Sequence, residues 1–171
     1  KSARLWRAND GAPLVTIQTP EALIVDGEFN PDGSKVLLSL RDSTARLFDA
    51  ATGKAVGVFK GHTGAVNTAR FFADGTRVIT ASSDRTIRVW DAATQQELAQ
   101  FGGHEGDIAG AYATRDGKYF ASATREGRLR MWREGEQTPM RTVDGKLAVF
   151  DPSGTRLAFI QDKLAVVWDL A

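Results

Sequence analysis

The sequence predicts an all-β chain built from one repeated unit of four short antiparallel strands, with three complete units between two partial ones. Three observations carry this. An aromatic recurs at Trp6, Phe48, Trp90 and Trp132, each 42 residues after the last, and Trp168 follows after 36. A glycine keeps the same frame at Gly33, Gly75 and Gly117, with Gly154 37 residues on, each four residues after Phe29, Phe71, Ala113 and Phe150. The acidic residues Asp42, Asp84, Glu126 and Asp162 stay in step with both. Self-similarity at a period of this length marks a repeat array.

The best-preserved unit shows what repeats. Apolar and β-branched residues run over 66–72 and 77–81 on either side of Asp74-Gly75, which predicts two strands and a tight turn. A second turn at 82–85 leads to an alternating strand over 86–90, and Ala92-Ala93-Thr94-Gln95 leads to a fourth over 97–101. Four such strands form a small twisted sheet that cannot bury both faces alone and needs like neighbours on either side. Radial stacking of such sheets gives a propeller. The units fall at about 20–60, 61–102 and 103–144, with partial ones at 1–19 and 145–171. The first partial unit supplies third and fourth strands (3–6 and 14–18), and the last supplies first, second and third (147–150, 156–160 and 164–168).

Composition narrows the class of protein. With 42% hydrophobic and 25% charged residues among 171, the chain is an ordinary globular one rather than a disordered one. Its apolar runs, such as 147–150, are far too short to cross a bilayer as a helix. Twenty-two basic and 21 acidic side chains give a net charge of +1, which offers no field for nucleic acid or an anionic membrane. The absence of cysteine rules out disulfides, thiolate metal sites and a cysteine nucleophile, and fits a reducing compartment, so a cytoplasmic location is expected.

Gly61-His62, the strand 78–82, the turn residue Asp84 and Thr86-Ile87-Arg88-Val89-Trp90-Asp91 together resemble a WD40 repeat. Gly103-His104 with Ser122, Glu126 and Met131-Trp132 is similar, with Glu in place of the turn Asp and Arg133 in place of the last Asp. The unit holding Leu47-Phe48-Asp49 has Thr19-Pro20 where Gly-His would stand, and the last keeps Val167-Trp168-Asp169 without that loop. The resemblance implies a WD40-type β-propeller of four-stranded blades. It also implies that His62, Thr80, Asp84 and Trp90 link by hydrogen bonds inside one blade, and His104, Ser122, Glu126 and Trp132 inside the next. Such links satisfy polar groups that would otherwise be costly to bury.

A hydroxyl, a histidine and an acid also describe a hydrolase triad. Two features favour scaffolding: the set recurs with the repeat, and it stands beside a strand tryptophan. Both histidines of the chain are used in it, and Asp26, Glu28 and Asp32 lack metal-loop spacing, so no catalytic residue, metal or cofactor is expected. The glycines sit in strand-to-strand turns and precede no helix, which argues against a phosphate loop.

Propellers of this family are rigid platforms whose rim loops meet protein or peptide partners. Carried over position by position, the rim candidates are Arg41, Asn67, Ser83, Asp107 and Arg125. Arg41 and Arg125 suit an acidic segment or a C-terminal carboxylate. The Ala-Ala-Thr-Gly and Ala-Ala-Thr-Gln linkers look bacterial, and the expected function is a non-catalytic scaffold or sensor, such as the sensing part of a larger STAND-type or kinase signalling protein. The alternatives are a truncated or engineered array that self-assembles to complete a ring and, last, an enzyme using the central channel. A homo-oligomer or further blades of a larger ring are the expected assemblies.

Overall fold

The computed structural model describes residues 1–170; Ala171, the last residue of the final expected unit, lies outside them. The described residues form seventeen strands and no helix. The first sheet pairs β1 (Ser2–Trp6) with β2 (Pro13–Gln18). The second orders β3 (Ile24–Phe29), β4 (Lys35–Leu40), β5 (Thr44–Asp49) and β6 (Ala55–Lys60). The third holds β7 (Val66–Phe71), β8 (Arg77–Ser82), β9 (Ile87–Asp91) and β10 (Glu97–Phe101). The fourth holds β11 (Ile108–Ala113), β12 (Tyr119–Thr124), β13 (Arg128–Arg133) and β14 (Arg141–Asp144). The fifth has β15 (Lys146–Phe150), β16 (Arg156–Gln161) and β17 (Leu164–Asp169). Every pairing is antiparallel between consecutive strands, so each sheet is a meander with the geometry of a propeller blade, three of them complete.

The recurring glycine has a local cause. After β7, Gly75 N–H donates to the Phe72 carbonyl and Thr76 N–H to Asp74 Oδ1, which closes a tight turn only if Gly75 takes a φ of +70°. That region is strained for residues with a Cβ. The turns after β3, β11 and β15 repeat this geometry at Gly33, Gly117 and Gly154.

Packing explains why the units need each other. Each of the four core clusters joins two consecutive sheets. Leu37, Ala45 and Leu47 of the second sheet meet Val78, Trp90 and Ala69 of the third. Ile79, Ala81, Ile87 and Val89 of the third meet Phe120, Trp132 and Ala111 of the fourth. One face of each sheet is thus aliphatic and leading, and the other carries the periodic aromatic and trails. Strand alternation alone produces this, because Val78 and Thr80 point one way while Ile79 and Ala81 point the other. Burying such a side chain contributes about 1.5–3 kcal/mol, and an isolated sheet could collect that on neither face. The stack is open: no core cluster among the described residues joins the first sheet to the fifth.

Candidate functional site

In the third sheet the loop before β7, strand β8 and the turn into β9 bring four side chains together. Trp90 Nε1–H donates to Thr80 Oγ1 at 2.8 Å, and Thr80 Oγ1 lies 2.7 Å from His62 Nε2. His62 Nδ1 lies 2.7 Å from Asp84 Oδ2. Asp84 also accepts from Thr63 N–H at 3.0 Å, Thr86 N–H at 2.9 Å and the Thr86 hydroxyl at 2.7 Å. Burial would raise the Asp84 carboxyl, but these donors outweigh it and hold it down at about 2. Burial lowers His62, against the pull of Asp84. The chemistry is therefore a neutral imidazole that donates through Nδ1–H to an ionised carboxylate and accepts through Nε2 from the Thr80 hydroxyl. Gly64 lets the loop approach: a Cβ there would stand 2.7 Å from the Asp84 amide nitrogen.

The fourth sheet repeats only part of this. Trp132 Nε1–H donates to Ser122 Oγ at 3.3 Å, and Ser122 Oγ lies 2.8 Å from His104 Nε2. His104 Nδ1 does not meet Glu126, the expected fourth member; it donates to the Arg85 carbonyl, 3.1 Å away. The reason is length. The extra methylene carries the Glu126 carboxylate past the ring to lie against Gly106, where a Cβ would be 2.1 Å from Oε2. Glu126 is exposed. With no carboxylate facing it, burial first and the nearby Arg130 charge second push His104 down to about 4.

Neither set is accessible for catalysis. Thr80 and Ser122 are fully buried, so no substrate carbonyl can reach either hydroxyl. The flanking sheets put an apolar side chain where the hydroxyl stands: Leu38 and Phe48 occupy the hydroxyl and tryptophan positions in the second sheet. Phe159 and Trp168 do so in the fifth, with ring centroids 4.7 Å apart.

The rim candidates divide. Asn67, Ser83 and Arg125 form one linked group. Asn67 Nδ2 donates to the Ile108 carbonyl at 2.7 Å and to Ser83 Oγ at 3.1 Å, and Arg125 Nη2 donates to Asn67 Oδ1 at 3.1 Å. Asn67 is buried, so it ties two blades together instead of facing outward as expected. Arg125 is exposed beyond that contact, and Asp107 holds its turn by accepting the Arg125 N–H through its carbonyl at 3.0 Å. Arg41 is exposed on the corresponding turn of the second sheet, whose backbone makes the same bond to Leu23.

At the opposite ends of the strands lies a groove of about 350 Å³ lined by Phe71, Tyr112, Val149, Phe150, Arg70 and Arg115 among others. The sequence offered a signal for it in the periodic aromatics Phe71 and Phe150, which read as landmarks rather than as a lining. Arg70 pairs with Asp26 Oδ2 at 2.6 Å and lies 3.6 Å from Glu28 Oε2. Burial, the largest influence, raises the Glu28 carboxyl against the lowering pull of the Phe71 amide and Arg70. Among the described residues no cluster of three or more His, Cys, Asp or Glu is arranged to hold a metal. No helix among the described residues is long and apolar enough to cross a membrane.

Four-stranded antiparallel blades stacked face to face, with a His–hydroxyl–Trp set inside two of them, define a propeller-type repeat protein. The family described as WD domain, G-beta repeat matches residues 53–91 and 95–133, the stretches that contain the third and fourth sheets' second and third strands. These two matches support a WD40 repeat array. WD40 repeats generally mediate protein–protein interactions. No curated protein matches the chain.

Proposed function

We propose that the chain is a non-catalytic interaction platform that presents the turns bearing Arg41 and Arg125 to an acidic segment or a C-terminal carboxylate of a protein or peptide partner, in the manner of a sensor. The observation that carries this is the mounting of Arg125. Its guanidinium is fixed from behind by Asn67, itself buried and bonded to the next blade, so an exposed cation sits on a rigid support. A pre-positioned arginine loses little freedom on binding a carboxylate. Anisotropy titration of a labelled peptide rich in Glu with a free C-terminus tests it. Arg125→Ala and Arg41→Ala should each weaken binding roughly five- to tenfold. Equal binding by both variants, or none by the wild type, would overturn the reading.

The groove favours a second location for the same chemistry, since Arg115 is exposed there beside Phe71, Tyr112 and Phe150. Loss of binding in Arg115→Ala with none in Arg125→Ala would place the partner on that side. A cytoplasmic setting and a role in a bacterial signalling protein belong to the same proposal, supported by the WD40 repeat matches and the lack of cysteine.

A further inference from the structure

The first strands of the second to fifth sheets end at one register position, and the fourth sheet breaks the pattern there. Phe29, Phe71 and Phe150 close β3, β7 and β15 and face Val36, Val78 and Leu157 across the strand pair. Ala113 closes β11 and faces Phe120 instead. Phe120 does not stand in for the missing ring: it turns away to pack on Phe101, with centroids 4.6 Å apart, and on Trp132, and it is not part of the groove wall. Phe71 and Phe150 each pack on the core of the junction with the preceding sheet, whereas Ala113 offers only a methyl group to the junction of the third and fourth. The groove of about 350 Å³ lies at that place, with Phe71, Tyr112 and Phe150 in its walls. Those walls are first strands and the turns that follow them, which all three sheets possess.

A second departure accompanies the first. Two residues beyond the missing ring stands Arg115, where the other turns carry Pro31, Ala73 and Pro152. Arg115 is exposed and forms no ion pair among the described residues. The charges around it are committed elsewhere. Arg70 is held by Asp26 and Glu28, and Asp151 accepts from the Thr155 and Arg156 amides and the Ser153 hydroxyl of its own turn. One turn has thus lost a ring and gained a cation, which sets a hollow walled by aromatic side chains beside a guanidinium open to a carboxylate. We propose that the groove receives an aromatic side chain of a protein partner, laid over Ala113 alongside Phe71 and Phe150, with a neighbouring carboxylate of the same segment on Arg115. The occupant is a side chain on a polypeptide and not a free aromatic acid. Ala73, Arg115 and Pro152 are exposed and leave the groove open on one side, so a free ring would remain partly in water, whereas a peptide adds contacts along its backbone. The site is the groove already named as a second place for an acidic segment, so this inference rests on that reading and not on Arg41 or Arg125.

Two end-capped fluorescent hexapeptides test it, one with Phe-Glu at its centre and one with Ala-Glu, titrated by anisotropy and by amide chemical shifts of the isotope-labelled chain. The Phe-Glu peptide should bind and shift the amides of 112–115, and replacing its ring should weaken binding at least about tenfold. Ala113→Phe restores the side chain that the other units carry. That variant should match the wild type by circular dichroism and bind the Phe-Glu peptide at least about tenfold more weakly, because its own ring fills the hollow. Ala113→Leu fills the same space if the phenylalanine variant fails to fold. Arg115→Gln should weaken the Phe-Glu peptide roughly three- to tenfold and leave a Phe-Gln peptide unchanged. Equal binding of the Ala-Glu peptide would overturn the aromatic anchor while the acidic reading stands; no binding of either peptide at about 1 mM would overturn both. Undiminished binding by Ala113→Phe, shifts confined to the turn that carries Arg125, or equal binding of free phenylacetate would each overturn the proposal.

Discussion

Asp84 accepts from His62, Thr63 and twice from Thr86, so its loss would leave several donors without a partner. Asp84→Ala should destabilise the protein by about 2–4 kcal/mol in urea unfolding, whereas Glu126→Ala at the equivalent position should change it by less than about 0.5 kcal/mol. Acid should act on the same groups. Unfolded His104 takes up a proton near its ordinary 6.5, but the folded state holds it off until about 4. The unfolded state therefore binds more protons across that window, and stability, complete above 6.5, falls as pH drops towards 4, by on the order of 2–3 kcal/mol. Asp84 adds a loss from 3.8 down through about 2, again because the unfolded carboxyl protonates first. His104→Gln, which retains hydrogen-bonding capacity without a titrating proton, should flatten the urea midpoint between pH 7 and pH 4.5; an unchanged slope would contradict the assignment. The residue types of both sets were legible in the sequence. The failure of Glu126 to join was not, because one methylene decides it and only the path of the preceding loop shows where the carboxylate comes to lie.

At the scale of strands and turns, Asn67 is the joint between the third and fourth sheets, bonded to Ile108, Ser83 and Arg125 at once. Asn67→Ala should cost about 1–2 kcal/mol and speed amide exchange in the turns at 82–86 and 124–128, with little change in β12 and β13. Protection unchanged in those turns would show that they are held by their own backbone bonds alone. The strands themselves were predictable to within a residue or two, since alternation and turn glycines act locally. Ser82 closes β8 instead of opening the turn, and its side chain donates to the Gly64 carbonyl at 3.0 Å, a long-range bond that no local pattern reveals. Asn67 resembled a rim residue by its position near the start of a strand. Its side chain turns inward because the next blade offers the Ile108 carbonyl.

Across the whole molecule the same aromatic has opposite weight depending on what covers it. Trp132→Ala removes a ring packed on Phe101, stacked on Phe120 and bonded to Ser122, and should cost about 3–5 kcal/mol in thermal or urea unfolding of the monomer. Trp6→Ala should cost less than about 1 kcal/mol in the same measurement, since about half of the residue's surface already meets water. Period and alternation are properties of neighbouring residues in the chain, so the sequence alone settled the repeat, the strand order and the blade as a unit, and pointed to the family. Which atoms satisfy each buried polar group, which rim residues remain available, and where the stack lies open were decided only in three dimensions. Those outcomes depend on angstrom-scale contacts between segments some 20 to 60 residues apart, as with Asn67 and Arg125 at a separation of 58.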